Sequence, residues 1–330
     1  MTQAVHEDDP RLHMGVPLPH GKLAMWLFLV TEIMFFTALI GTYVLLRNGT
    51  TPVFRAEVDD KGNPKKDNKG KEIMTREAWP KPHDVHLIEW VGAVNTFVLI
   101  CSSVTVVLAH FALGKGNTRR ALQYVGATLA LGSVFLIIKA IEYKSKIDHD
   151  ILPGHMGEAL PGLKPEQERD FLNASRNYVA RVKEQLEAIT EDPDASAKYG
   201  DELVEKCNAL LEDMKEQAPP TSPTFKRALS PAEVGARVNK LLHEAEEQGK
   251  SLHVAPTVPY GNMWASCYFA MTGFHALHVF GGLVIFVIIL LMGVRGRLGP
   301  QHSPMLEYTG LYWHFVDIVW IFLFPLLYLV

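Results

Sequence analysis

The sequence predicts an all-α fold, a polytopic membrane bundle of five transmembrane helices with a helical insert between the third and fourth. Three observations lead there. Five stretches of 20 or more residues are almost free of charge, although the 330-residue chain is 21% charged overall. A bilayer core is about 30 Å thick and needs about 20 apolar residues in a helix, so each stretch is long enough to cross. The charges are gathered between these stretches, and the longest polar segment carries helical rather than alternating periodicity.

The spans read as Leu23–Leu46, Leu87–Leu113, Ala121–Tyr143, Trp264–Val294 and Tyr308–Val330. Trp26, Tyr43, Trp90, Tyr124, Tyr143, Trp264, Tyr308 and Tyr328 stand towards their ends, as interfacial aromatic belts do. The fourth span is the longest, which predicts tilt. Short connections hold the basic residues: Arg11 and Lys22 before the first span, Lys115, Arg119 and Arg120 after the second, and Arg295 and Arg297 after the fourth. Five spans put those three segments on one side, which the positive-inside rule makes the cytoplasm. The two long connections and the C-terminus then face outward.

The first long connection, within 50–82, has strand-like runs around Val53–Val58 and Lys71–Met74 about a Gly/Asn/Lys tip. It reads either as a solvated β-hairpin or as a disordered polar loop. The second, 147–259, reads as a small helical domain. Phe171, Leu172, Val179, Val182, Leu186 and Ile189 recur at helical spacing after Pro165. Leu203, Val204, Cys207, Leu210, Leu211 and Met214 do so after Asp201. Ser230-Pro231-Ala232-Glu233 is a capping box with proline at the first helical position, and Val234, Val238, Leu241 and Leu242 follow. Pro219, Pro220 and Pro223 separate the second helix from the third. Residues 148–258 hold 21 acidic and 13 basic side chains, a net of −8 that leaves +4 for the rest of the chain. The chain thus divides into 1–146, 147–259 and 260–330.

Ionisable residues inside a span are costly and therefore informative. Glu32 lies nine residues into the first span, roughly 13 Å deep at 1.5 Å per residue. At that depth it is expected to be protonated or paired within the bundle, as a proton-linked or lipid-contacting acid or as a neutral packing carboxyl. His275 and His278 are three apart on the fourth span, and His314 and Asp317 repeat the spacing on the fifth. These are metal-capable types, but spacing alone does not make ligands converge, and interhelical hydrogen bonding is the expected role. Gly273, Gly281 and Gly282 permit close helix approach. Lys139 and Glu142 read as a mutual pair near the outer end of the third span, with Lys139 snorkelling.

The composition excludes several classes. A net charge of −4 argues against nucleic acid as partner. Cys101, Cys207 and Cys267 form neither a CxxC pair nor a disulfide framework. Residues 1–21 have no apolar core of the signal-peptide kind. The chain carries no phosphate loop, nucleophile elbow or HExxH, and so no catalytic constellation of its own. Two other readings are a haem b protein using His110, His275, His278 and His314, and a proton-coupled transporter built on Glu32. Poorly matched histidine depths weigh against the first, and the lack of an inverted repeat against the second.

One resemblance carries further. Tyr312-Trp313-His314-Phe315-Val316-Asp317-Ile318-Val319-Trp320 closely resembles the last-helix signature of the cytochrome c oxidase subunit III family. Thr272-Gly273-Phe274-His275-Ala276-Leu277-His278-Val279 resembles its GFHxxHV helix. Asn95-Thr96, Ser102-Ser103 and Ala109-His110 follow its NT…SS…AH pattern, and Glu142-Tyr143 matches the end of the next helix. Trp26-Leu27-Phe28 and Thr31-Glu32-Ile33-Met34-Phe35-Phe36 resemble the helix with the family's carbodiimide-reactive glutamate, at Glu32.

The resemblance implies a non-catalytic subunit of a haem–copper oxidase, which reduces oxygen to water and pumps protons. It implies that this chain binds no haem or copper, those lying in subunits I and II, and that it packs on subunit I and binds phospholipids. It also implies a part in sustaining proton uptake and protecting the active site during turnover. The implied location is the bacterial cytoplasmic membrane, N-terminus inside, with the insert periplasmic. Accessory subunits of a quinol oxidase or of nitric oxide reductase share these helices and are the alternative. The chain departs from the larger family members in lacking their first two spans, in having Lys139 where glutamine is common, and in carrying the 147–259 insert. The insert's acidity makes it a candidate docking surface for cytochrome c or a partner respiratory complex, or else a solvated cap.

Overall fold

The computed structural model describes residues 20–50, 53–56, 67, 70–71, 73–77, 79–158, 165–215 and 228–329, with the side chains of 53–56, 74–77 and 165–176 left aside. Arg11, the prolines Pro219, Pro220 and Pro223, and the side chains of Phe171 and Leu172 lie outside what is described.

Five long helices are apolar enough to cross a membrane: α1 (His20–Gly49), α2 (Glu89–Gly114), α3 (Thr118–Asp148), α8 (Gly261–Val294) and α9 (Ser303–Phe324), the last extended by a π turn at Pro325–Leu329. The chain is a multi-pass membrane protein. Between α3 and α8 come α4 (Pro165–Glu191), α5 (Ala195–Tyr199), α6 (Asp201–Met214) and α7 (Pro231–Glu247). The fold is the all-α bundle with a helical insert that the sequence predicts. The short α5 is additional.

Between α1 and α2 stands one antiparallel pair, β1 (Val53–Ala56) with β2 (Met74–Glu77), in register Val53 to Glu77. The second strand begins where the expected one ends. Asp67, Gly70 and Lys71 belong to a turn instead: the Asp67 carboxylate accepts from the Lys71 amide at 2.9 Å, and Gly70 takes φ +76°. The fifth span also starts earlier than Tyr308. A 3₁₀ turn at Pro300–His302 leads into Ser303, and Pro304 fits the first helical turn.

α9 is the hub. Half of its apolar window is buried inside the protein, against 11% for α1. It packs on α1, α2 and α8, while α3 packs on α2 and α8. α1 touches the rest through a seven-residue repeat, Leu29, Phe36 and Tyr43. One close joint is at Trp313, which is fully buried. A Cβ on Gly132 of α3 or Gly282 of α8 would fall 2.9 or 2.7 Å from its ring, so only glycine leaves room at either place. Gly273 and Gly281 are not notches of this kind. Their nearest neighbours, the hydroxyls of Tyr143 and Tyr312, would lie 3.8 and 3.5 Å away.

The insert has its own apolar core, built from Val182 and Leu186 of α4, Leu203, Cys207 and Leu210 of α6, and Val234, Val238 and Leu241 of α7. Burial there pushes the Cys207 thiol up to about 11. α7 starts with the expected capping box: the Ser230 hydroxyl accepts from the Glu233 amide while Glu233 takes the Ser230 amide at 2.7 Å. The insert helices pack on one another, and their joints to the bundle run through the connectors. Gly157 and Thr257 form a parallel bridge, and the Asn262 side chain spans the backbone of Met156. Asp150 accepts from Gln185 of α4 at 2.9 Å. Among the described residues, three non-glycine residues hold left-handed backbone, His86, Asp150 and Tyr260, and each stands at the entry or exit of a membrane helix beside this insert.

Candidate functional site

The polar residues singled out by sequence all lie in the bundle, and α9 gathers most of them. Its indoles and imidazole reach α2 in three successive contacts. Trp313 donates to the Ser102 hydroxyl at 2.9 Å, His314 Nδ1 meets the Ser103 hydroxyl at 2.7 Å, and Trp320 donates to the Thr96 hydroxyl at 2.9 Å. In lipid no water competes for these groups, so such pairs fix helix rotation and register.

Glu32 of α1 meets His278 of α8, with Oε2 3.0 Å from Nε2. The other ring nitrogen, Nδ1, lies 2.7 Å from the Phe274 carbonyl. A carbonyl only accepts, so Nδ1 carries a hydrogen. One more proton is then shared between Glu32 and Nε2. The pair is either a neutral carboxyl donating to imidazole or a carboxylate accepting from imidazolium. Both forms are neutral overall, which lets the pair sit in the bundle. Tyr312 donates to the His278 carbonyl at 2.9 Å, and Phe36 stands edge-on to the imidazole. Towards the N-terminal end of α1, an apolar cavity of about 370 Å³ is lined by Met25, Phe28, Ile285, Met305, Tyr308 and Tyr312.

His275 does not share that site. Its ring is fully buried, stacked on Trp320 at 5.1 Å and edge-on to Phe135. Neither of its nitrogens has a hydrogen-bond partner among the described residues. The expected interhelical hydrogen bond is therefore absent for His275: a three-residue step turns the side chain by about 60°, enough to aim it at α3 and α9 while His278 faces α1. The Asn95 side-chain oxygen is likewise buried without a hydrogen-bond partner among the described residues, and Asp317 is buried beside Ser103. His110 is half-buried on α2. His278 is engaged at both ring nitrogens, by Phe274 and Glu32, and His314 at Nδ1, by Ser103 of α2. Among the described residues, no three His, Cys, Asp or Glu side chains gather as metal ligands do.

A second polar cluster occupies the C-terminal half of α3. Lys139 does not snorkel. Its side chain is 4% exposed and turns inward, where Nζ donates to Glu142 at 3.0 Å, to the Tyr268 hydroxyl at 3.1 Å and to the Tyr328 hydroxyl at 3.0 Å. Glu142 also accepts from both tyrosines. The ammonium lies 5.0 Å from the Trp320 ring centre, within cation–π range. Sequence reasoning found the pair and missed its cage, because Tyr268 and Tyr328 come from α8 and the π turn after α9. Two turns on from Lys139, Lys146 is also buried and donates to the Val85 carbonyl.

Known proteins match these same helices. The profile of the cytochrome c oxidase subunit III family covers residues 73–152 and 245–330, half of the chain. The chain belongs to the cytochrome c oxidase subunit III family. The two matched segments carry α2, α3, α8 and α9 and fall on either side of the insert. α1 lies outside them and is joined to them by the Glu32–His278 pair. A cytochrome c oxidase subunit 3 of Thermostichus vulcanus is 46% identical over 82 residues, 22% of this chain and 38% of that protein. A probable cytochrome c oxidase subunit 3 of Mycobacterium leprae is 39% identical over 74 residues, 22% of this chain and 36% of that one. The Glycine max subunit 3 is 37% identical over 81 residues, 24% and 31% respectively. The matched stretches thus span about a third of the length of these subunit III relatives.

Proposed function

We propose that this chain is the subunit III of a proton-pumping terminal oxidase of the cytochrome c oxidase type, working without a redox centre of its own. Haem and copper reside in subunits I and II on this reading, and this chain stabilises them, holds phospholipid and sustains proton uptake. The observation that carries the reading is the family match to four membrane helices whose polar residues pair across the bundle rather than converge on a ligand. Glu32 is the proton- or lipid-linked acid. Its single shared proton with His278 and the apolar cavity along the same α1–α8–α9 seam support that role.

The division into 1–146, 147–259 and 260–330 goes with this reading. The basic ends of the bundle face the cytoplasm of a bacterial cell and the insert faces the periplasm. Its net −8 would draw a basic cytochrome or a partner complex by long-range attraction.

Purification in mild detergent through a tag on this chain tests the proposal. The expected result is co-purification with a copper-bearing subunit II and a haem-bearing subunit I, seen by mass spectrometry and an optical spectrum. A subunit II without copper ligands makes the complex a quinol oxidase, and a haem b partner without haem a or o makes it a nitric oxide reductase. A colourless chain without partners overturns the reading.

A further inference from the structure

One side of α9 is left open. α1 and α2 both pack on α9 but not broadly on each other, so a strip of α9 shows between them. His314, Ile318 and Ile321 line this strip at helical spacing, and Ile318 is 52% exposed. Ile100, Ser103 and Val107 of α2 run beside it at the same kind of spacing. The Ser103–His314 contact ties the two rows together, and Trp313–Ser102 and Trp320–Thr96 show that the helices run in opposite directions. Two rows stepping by three and four residues leave a furrow between them, the relief into which a third helix packs its ridge.

A polar atom is out of place on such a face. His314 stands at the middle of the Pro300–Leu329 span, roughly 21 Å from either end at 1.5 Å per residue. The hydrocarbon core is about 30 Å thick, so headgroups and water are both out of reach there. Nδ1 meets Ser103, but Nε2 has no partner among the described residues, and the ring is only half-buried. In either tautomer Nε2 is a donor or an acceptor. Lipid tails satisfy neither, and an unmatched polar group in hydrocarbon is costly. At the same depth the other helices turn apolar side chains out of the bundle, such as Met34 of α1, Ile137 of α3 and Leu277 of α8. The exposed Thr31 and Thr42 of α1 differ in kind, because they return their hydroxyls to carbonyls of their own helix. Glu32 and His278 satisfy each other. The α2–α9 strip is therefore a face that protein covers.

On the reading of this chain as one subunit of an oxidase, we propose that the strip seats a membrane helix of a partner subunit, with a hydrogen-bonding side chain set against His314 Nε2. A partner helix supplies what lipid lacks, a polar group held at mid-membrane depth. Ile318, Ile321 and Val107 give it apolar contact on either side, and the single polar contact sets its register.

Benzoylphenylalanine in place of Ile318, in the full chain within its purified complex in phospholipid nanodiscs, tests the seat. Illumination should give a peptide cross-link to another membrane subunit, identified by mass spectrometry. The amount of that subunit retained through detergent washing reads the contact itself. His314→Phe should lower it about threefold to tenfold, the range of an interhelical hydrogen bond, and His314→Gln should restore most of it. Ile318→Trp, on an exposed position, should lower it too, whereas Ile137→Trp on α3 should not. Ser103→Ala, which removes only the contact within the chain, should leave it unchanged. Lipid adducts alone at Ile318 in an intact complex overturn the seat and leave the oxidase reading standing, as does a cross-link to a second copy of this chain. A loss with Ser103→Ala equal to that with His314→Phe also overturns it, since the effect would then arise inside the bundle. A chain that purifies without partners overturns both.

Discussion

The bundle and the insert bury apolar side chains by different rules, because they fold against different solvents. In the insert water is the alternative, and the side chains that repeat every three or four residues are the ones inside: Val182 and Leu186, Leu203, Cys207 and Leu210, Val234, Val238 and Leu241. In the bundle lipid is the alternative, and apolar character no longer says which face is inside. Leu45 is 74% exposed and Leu29 5%, on one helix of nearly uniform composition. There the contacts are chosen by shape, as where Trp313 fills the space left by Gly132 and Gly282. Hydroxyls and rings that find partners on other helices choose the rest.

This contrast can be broken at named residues. The largest effect is expected at Lys139. Lys139→Met leaves the Glu142 carboxyl buried without its cation, which costs about 3–5 kcal/mol. Adding Glu142→Gln should recover much of it, read as the melting temperature of the complex in detergent. Leu210→Ala removes a buried side chain from the insert and should cost about 2–5 kcal/mol locally. Proteolysis within 165–247 should then quicken while the bundle's melting stays unchanged. A matching fall in both would mean that the two cores are one cooperative unit. Gly282→Ala forces a methyl against the Trp313 ring and should cost about 1–3 kcal/mol, whereas Gly273→Ala, with open space around it, should be neutral or slightly stabilising. The smallest effect is at the α7 cap: Ser230→Ala should lower insert stability by about 1 kcal/mol, seen as faster amide exchange in the first turn of α7.

The sequence showed well whatever depends on a single segment. The existence of the five spans, the described part of the insert's helical faces and the Ser230 cap are local properties, and the structure reproduces them. What needed distant partners was misread or missed. Lys139 looked like a snorkelling residue because Tyr268 and Tyr328, which hold it inward, lie far along the chain. His275 and His278 looked like one face because spacing fixes their angle to each other and says nothing of which neighbour fills it. Trp313 was visible as part of a motif, but its seat between two glycines from α3 and α8 was not. The strip of α9 left open between α1 and α2 depends on how three helices pack, and no local pattern announces it.

The order of synthesis gives the central position of α9 a further meaning. This helix emerges after the other four, yet it supplies the partners for Thr96, Ser102 and Ser103 and the indole that closes the Gly132–Gly282 gap. Until it enters the bilayer, α1, α2, α3 and α8 lack the two indoles and the imidazole that these hydroxyls meet in the finished bundle. Assembly of this five-helix bundle is therefore a late event that waits for α9, and the half-made bundle is the form most exposed to quality-control proteases.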